Sequence, residues 1–219
     1  MMDTKGKLES FFATFAPLKY GRNATLIKPQ DFISHIFYLE SGYVRQYILS
    51  REGEEITIHI FRPTSFFPMM LALSGTINKY YFEAMTSVSL YKAPRDKVIE
   101  FIKNNPDVNL ELSRRLSQGI AGLLVRIENL IFDDVEKKLA SLLFYLGEHF
   151  GEERAGKVVI KLRLTHKDIA TWVGTSRESV SRQMKQFEND KLLSYKNSEI
   201  VLRDISKIKE IASLSKFQL

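Results

Sequence analysis

The spacing of hydrophobic and polar positions changes along the chain. Between residues 20 and 93 short apolar runs alternate with turn signals. HIFYLESGYVRQYILSREGEEITIHIF is broken at Ser41-Gly42 and again at Arg51-Glu52-Gly53-Glu54. Ile56, Ile58 and Ile60 alternate with Thr57, His59 and Phe61, the period of two expected of a half-buried strand. YYFEAMTSVSLYKA is another such run. Many short strands with turns between them predict a barrel or jelly roll. Pro94 then suits the first turn of a helix, PRDKVIEFIKNN.

From residue 107 the period lengthens. Leu112, Leu116, Gly119/Ile120, Leu123, Ile127 and Leu130 recur at alternating steps of three and four, which is a coiled-coil seam. Leu124 and Ile131 widen the stripe. One edge of such a stripe can pack on its own domain and the other on a twin helix, so a homodimer through these residues is expected. Phe132-Asp133-Asp134 breaks the seam. Asp134 is a good N-cap for VEKKLASLLFYLGEHFG, closed by Gly151, and EERAGK reads as a loop before the apolar run VVIKLRL.

LTHKDIATWVGTSRESVSRQMKQFENDKLL has the pattern of two short helices around a glycine turn. Thr165 can cap the first, with Asp168 reaching back from the third position, and Ile169, Ala170 and Val173 supply its buried face. Gly174 permits the tight turn. Thr175 or Ser176 caps the second helix, whose inner stripe is Val180, Met184 and Phe187. Arg177, Glu178, Ser179, Ser181 and Arg182 remain on the outer face near its N-terminus. This is a helix-turn-helix, whose second helix enters the major groove of DNA. LLSYKNSEIVL adds a hairpin around Asn197-Ser198, a wing, and Asp204 caps a last helix, DISKIKEIASL.

The side-chain types suit base reading. Arginine can donate two bonds to guanine, glutamate can accept from cytosine, and serine reaches a base or a phosphate. The candidate DNA-contacting residues are Thr165, Thr175, Ser176, Arg177, Glu178, Ser179, Ser181, Arg182 and Lys185. Double-stranded DNA is the expected partner, because the deep major groove of A-form RNA excludes a reading helix.

Charge agrees with this placement. The net charge is +6, and residues 135–219 carry 16 Lys and Arg against 11 Asp and Glu, whereas residues 1–134 carry 16 against 15. The absence of cysteine removes disulfides, thiolate zinc sites and cysteine-ligated clusters. His35, His59, His149 and His166 show no metal-ligand spacing. No nucleophile–base or metal constellation points to an enzyme, and no cofactor is implied. No run approaches the ~20 apolar residues of a membrane span, and MMDTKGKLESFF lacks the features of a secretory signal, so a cytoplasmic protein is expected.

DIATWVGTSRESVSR is close to the most diagnostic segment of the CRP/FNR family of bacterial transcription regulators, and the strand-rich region, the seam and FDDVEKKLASLL follow the family's order. The chain therefore resembles that family over nearly its whole length. The resemblance implies an α+β fold. An N-terminal β-roll of the cyclic-nucleotide-binding type (1–106) leads through a dimerisation helix and hinge (107–134) to a winged helix-turn-helix (135–219). It implies a homodimer bound to an inverted repeat, RNA polymerase as a partner, and an effector pocket between roll and seam helix. It also implies Arg177, Glu178 and Arg182 as base readers, with Ser181 contributing in some members. The half-site would be TGTGA-like or TTGA-like, and carrying both Arg177 and Ser181 leaves that choice open.

The departures concern the effector. Family members that bind cyclic AMP hold it with a Gly-Glu pair and an Arg-Ser pair. Those fall here on Pro68-Met69 and Asn78-Lys79, and the Thr-Ser that meets the base becomes Leu123-Leu124. Each lost charge-assisted bond is worth about 1.5–3 kcal/mol, and lysine cannot reproduce an arginine fork. Cyclic AMP is therefore not the expected ligand. The positions of the haem sensor's ligands are held by Phe67, Pro68 and Met69. The expected pocket is apolar and aromatic. It is drawn from Phe66, Phe67, Met69, Met70, Asn78, Lys79, Tyr80, Tyr81 and Phe82, with Leu116, Ile120, Leu123 and Leu124 of the helix. It would take a small hydrophobic or aromatic acid through Lys79 or Tyr80, or else be packed shut in a regulator that needs no effector.

Overall fold

The computed structural model describes residues 3–212; the side chain of Leu130 lies outside the described set. The chain forms two compact units, Met1–Ile120 and Ala121–Leu219. In the first, helix α1 (Thr4–Phe12) precedes strands β1 (Pro17–Tyr20), β2 (Thr25–Ile27), β3 (His35–Ser41), β4 (Val44–Leu49), β5 (Glu55–Phe61) and β6 (Phe66–Phe67). Helix α2 (Met69–Ser74), strands β7 (Tyr81–Ala84) and β8 (Val88–Pro94), and helix α3 (Arg95–Asn104) follow. Helix α4 (Pro106–Phe132) contains the division. The second unit continues with α5 (Val135–Phe150), β9 (Gly151–Arg154), β10 (Lys157–Ile160), α6 (His166–Val173), α7 (Arg177–Asn189), β11 (Leu193–Lys196), β12 (Glu199–Leu202) and α8 (Ile205–Ile211). Among the described residues no helix is long and apolar enough to cross a membrane.

The strand-rich region is a roll of two antiparallel four-stranded sheets, ordered β1-β8-β3-β6 and β2-β7-β4-β5. Their facing sides bury Ile27, Leu39, Val44, Ala84, Val88 and Leu90 around a column of aromatic rings. Phe67 stacks on Phe37 at 5.6 Å, on Phe61 at 4.9 Å and on Phe82 at 5.7 Å. Each such ring pair adds about 0.5–1.5 kcal/mol beyond its buried area.

Two local expectations change. The alternation of Ile56, Ile58 and Ile60 does not place all three on one face. β4 and β5 pair as Gln46 with His59 and then Tyr47 with Thr57, so Ile58 is an extra residue in a bulge. Past the bulge the faces exchange: Ile60 and Thr57 are buried, and Ile56 is 42% exposed. The stretch read as the EERAGK loop is instead a hairpin of β9 and β10, which joins the wing in a sheet ordered β11-β12-β10-β9.

Helix α1 has no counterpart in the sequence reading. Asp3 caps it by accepting from the Gly6 amide at 2.7 Å. Phe11 stacks on Phe101 of α3 at 4.2 Å, and Phe12 stacks on Tyr38 of β3 at 5.1 Å. Lys7 pairs with Asp107 at the start of α4, at 2.7 Å. This contact helps to fix the first turns of α4, where Val108 and Leu112 enter the same core as Val98 and Ile102. Leu112, expected on the dimer seam, is only 3% exposed and belongs to the core of its own unit. The 3–4 spacing cannot tell one buried edge of the stripe from the other. Beyond it the stripe lies open: Leu116, Ile120, Leu123, Leu124, Ile127 and Ile131 are all exposed. The Leu130 side chain lies outside the described residues.

Candidate nucleic-acid interface

The helix-turn-helix is set by its caps. The Thr165 hydroxyl accepts from the Asp168 amide at 3.2 Å, and the Asp168 carboxylate accepts from the Thr165 amide at 2.8 Å, a complete capping box. At the other end of α6, Gly174 takes φ = 71°, a left-handed conformation that a side chain would resist, and donates to Ala170. Ser176, not Thr175, then caps α7, accepting from the Ser179 amide at 3.1 Å. Ile169, Ala170 and Val173 of α6 and Val180, Met184 and Phe187 of α7 are buried as expected, and Trp172 of α6 is buried with them.

The opposite face of α7 carries Arg177, Glu178, Arg182 and Lys185, all exposed. None of the four makes a hydrogen bond or ion pair among the described residues. Their donors and acceptors are thus free for a ligand that approaches the N-terminal half of the helix. The hydroxyl candidates differ. Ser181 is half-buried on the flank of that face, whereas Ser176, Ser179 and Thr165 already spend hydrogen bonds on the caps.

The wing is locked to this head by contacts that sequence reasoning missed. The Leu164 amide donates to the Ser198 carbonyl at 3.0 Å. The Tyr195 hydroxyl donates to the Leu164 carbonyl at 3.1 Å, and the Tyr195 amide donates to Glu188 at 3.0 Å. His166, the first residue of α6, stacks on the Tyr195 ring at 4.6 Å. Burial and the neighbouring Arg177 hold its imidazole below the ordinary value, with Glu188 opposing them. Asn197 and Ser198 make the wing turn with φ = 50° and 60°, which fits the Asn-Ser pair seen in the sequence.

Of the expected effector residues in the first unit, some are core and others are exposed. Phe67 is fully buried inside the aromatic column and serves as core, a correction to its assignment as a pocket wall. Met69 is likewise buried, in the core shared with α1 and α3. Asn78 is buried, and its amide is consumed by backbone: it donates to the carbonyls of Lys28 at 2.6 Å and Tyr80 at 2.9 Å, and accepts from the Tyr80 amide at 2.9 Å. Its assignment as an effector contact gives way to a role as a loop brace. Tyr80 packs against the edge of the aromatic core. Met70 and Lys79 are exposed.

Comparison with known proteins matches both units. Residues 17–105 fit the cyclic nucleotide-binding domain model, and residues 137–211 fit the Crp-like helix-turn-helix domain model. The chain is 30% identical over 185 residues to the global nitrogen regulator of Nostoc sp., covering 84% of this chain and 83% of that protein. It is 33% identical over 172 residues to the transcriptional regulator SdrP of Thermus thermophilus, covering 78% and 80%. The chain belongs to the CRP/FNR family of transcription regulators. A solved CRP/FNR-family regulator of Thermus thermophilus superposes with a TM-score of 0.75 at 27% identity, covering 90% of this chain and 98% of that one. A CooA variant from Carboxydothermus hydrogenoformans shares the fold, with a TM-score of 0.77 at 24% identity over 93% and 90% of the two chains. As a CRP/FNR-type regulator, the protein combines a DNA-binding helix-turn-helix with a roll of the cyclic-nucleotide-binding type. Its relatives are transcription regulators rather than enzymes.

Proposed function

We propose that the chain acts as a homodimer that reads an inverted repeat in double-stranded DNA. The sensor roll spans 1–106, the dimerisation helix and hinge 107–134, and the reading domain 135–219. The observation that carries this reading is the tip of α7. Arg177, Glu178, Arg182 and Lys185 are exposed and uncommitted on a helix whose start is fixed by the Ser176 cap and the Gly174 turn. Arg182 and Glu178 contact base edges, Arg177 a second guanine or a phosphate, and Lys185 the backbone. The exposed apolar stripe from Leu116 to Ile131 is the dimer surface. RNA polymerase is the protein partner such a regulator addresses. Selection from a pool of randomised duplexes tests the proposal. It should enrich two half-sites related by a two-fold axis about one helical turn apart, roughly 34 Å. Enrichment of a single half-site, or of none, overturns it.

The effector of this reading is a small hydrophobic or aromatic acid rather than a cyclic nucleotide, with exposed Lys79 offering a point charge for its carboxylate. A second reading, a regulator active without an effector, is favoured by the filled aromatic column of Phe37, Phe61, Phe67 and Phe82. DNA affinity measured across a panel of such acids separates the two, since a ligand shifts an equilibrium only by its differential affinity for the two states.

A further inference from the structure

One contact ties the C-terminal part of α4 to the reading head. The guanidinium of Arg126 donates through Nη2 to the carbonyl of Trp172 at 2.8 Å. Trp172 lies in the last turn of α6, where carbonyls have no partner within their own helix. The Ala170 carbonyl there accepts from the amides of Gly174 and Thr175; the Trp172 carbonyl accepts from Arg126. A cation at this end also faces the negative pole of the helix dipole. The surroundings make the contact specific. Trp172 is buried and meets Tyr145 of α5 edge-on at 5.7 Å. Burial draws the Arg126 guanidinium down from its ordinary value, and the nearby Tyr145 opposes this. Two residues after Trp172, the left-handed Gly174 sets the direction in which α7 leaves.

We propose that Arg126 is a positioning residue of the DNA-reading head: from α4 it caps the C-terminus of α6 and so holds the angle at which α7 is presented to the groove. In a dimer joined through α4 this angle fixes the separation between the two reading helices. The cap therefore governs which half-site spacing is accepted, while the bases within each half-site are read by α7. This consequence rests on the dimeric reading above.

The test uses the full-length protein and inverted repeats whose central spacer varies base pair by base pair, with a single half-site duplex as reference. Arg126→Ala should bind the best-spaced repeat ~10-fold or more weakly, as expected when a charged hydrogen bond is lost. It should accept neighbouring spacings more evenly, with base preference on the single half-site unchanged. Arg126→Lys, which keeps the charge on a shorter donor, should fall between Arg126→Ala and the natural protein. Trp172 is the chain's one tryptophan, so its emission and anisotropy report on the cap directly, and both should change in the two variants. Unchanged affinity and spacing preference in Arg126→Ala overturn the proposal. So does a loss of thermal stability with the same sharp spacing preference, which would make Arg126 a packing residue only. If the natural protein itself shows no preferred spacing, the dimeric reading fails instead. The cap is then judged on Trp172 emission and on amide exchange at Gly174, and it falls if neither moves. If Arg126→Ala does not fold, Arg126→Lys decides by the same measurements.

Discussion

The side chain of Asn78 donates to the carbonyl of Lys28 at 2.6 Å and so closes the loop after β2 onto the segment before β7. The Gln30 amide returns a bond to the Asn78 carbonyl at 2.8 Å. The two bonds that this side chain donates and the one it accepts all go to the protein's own backbone. A residue with no hydrogen-bonding capacity at this buried site would lose both donations and leave the Tyr80 amide without its side-chain acceptor.

Asn78→Leu should therefore lower stability by about 1–3 kcal/mol in urea unfolding, since three hydrogen bonds of a buried side chain are lost at about 0.5–1.5 kcal/mol each and the added apolar bulk offsets only part of that. Cyclic AMP titrated into the natural protein should release no measurable heat. Micromolar binding, or an Asn78→Leu variant as stable as the natural chain, contradicts this account of the loop.

The exposed stripe of α4 supports a second prediction. Ile127 is 51% exposed and Leu123 47% in the single chain, so polar replacements there cost the chain little. At a dimer interface they would bury unpaired charge. The double variant Leu123→Glu/Ile127→Glu should keep its far-UV circular dichroism and sediment as a monomer. A dimer that survives both changes means that another surface joins the subunits.

Legibility in the sequence followed the range of the interactions. The head was readable because its rules are local: Thr165 and Asp168 stand three residues apart, Gly174 is the one residue suited to its φ, and Ser176 caps within its own turn. Helix α1 was not readable, because Phe11 and Phe12 are held by Phe101 and Tyr38, which are distant in sequence. The bulge at Ile58 was hidden for a related reason: a period of two in one strand says nothing of the partner's register. Leu112 and Leu116 share one heptad pattern, yet one is core and the other exposed. Arg126 looked like any charged helix residue, since its partner is a main-chain carbonyl 46 positions away.

Acid should loosen the join between wing and head. His166 is pressed on Tyr195 of β11 and faces Arg177 and Glu188 of α7. Burial and Arg177 depress its pKa below the ordinary 6.5. The unfolded chain then binds more protons than the folded one once the pH drops below that value. Stability contributed by the neutral imidazole is present above pH ~6.5 and is lost as the pH falls toward the depressed folded value. His35 in the first unit is shifted the same way by burial and Lys92, so the readout should be local. Thermal melts followed by Trp172 fluorescence across about pH 5 to 8 should slope less for His166→Phe than for the natural protein. Equal slopes would remove His166 from the account.

Arg182 and Lys185 of α7, three positions apart, should fail in different ways. Arg182, on the exposed face of the first two turns, is placed for a bidentate contact with guanine, whereas Lys185, one turn further on, is placed for a phosphate. Losing a bidentate base contact costs about 1–3 kcal/mol and removes discrimination at one base pair, so Arg182→Ala should relax a single position of the half-site. Losing a phosphate contact weakens every sequence alike, so Lys185→Ala should leave base preference intact and lower the salt dependence of binding by about one counterion. Both variants are compared on one randomised half-site pool at several salt concentrations. If Arg182→Ala weakens all sequences equally while Lys185→Ala alters base preference, then α7 meets the groove in a different rotation and the assignment of readers on its face is wrong.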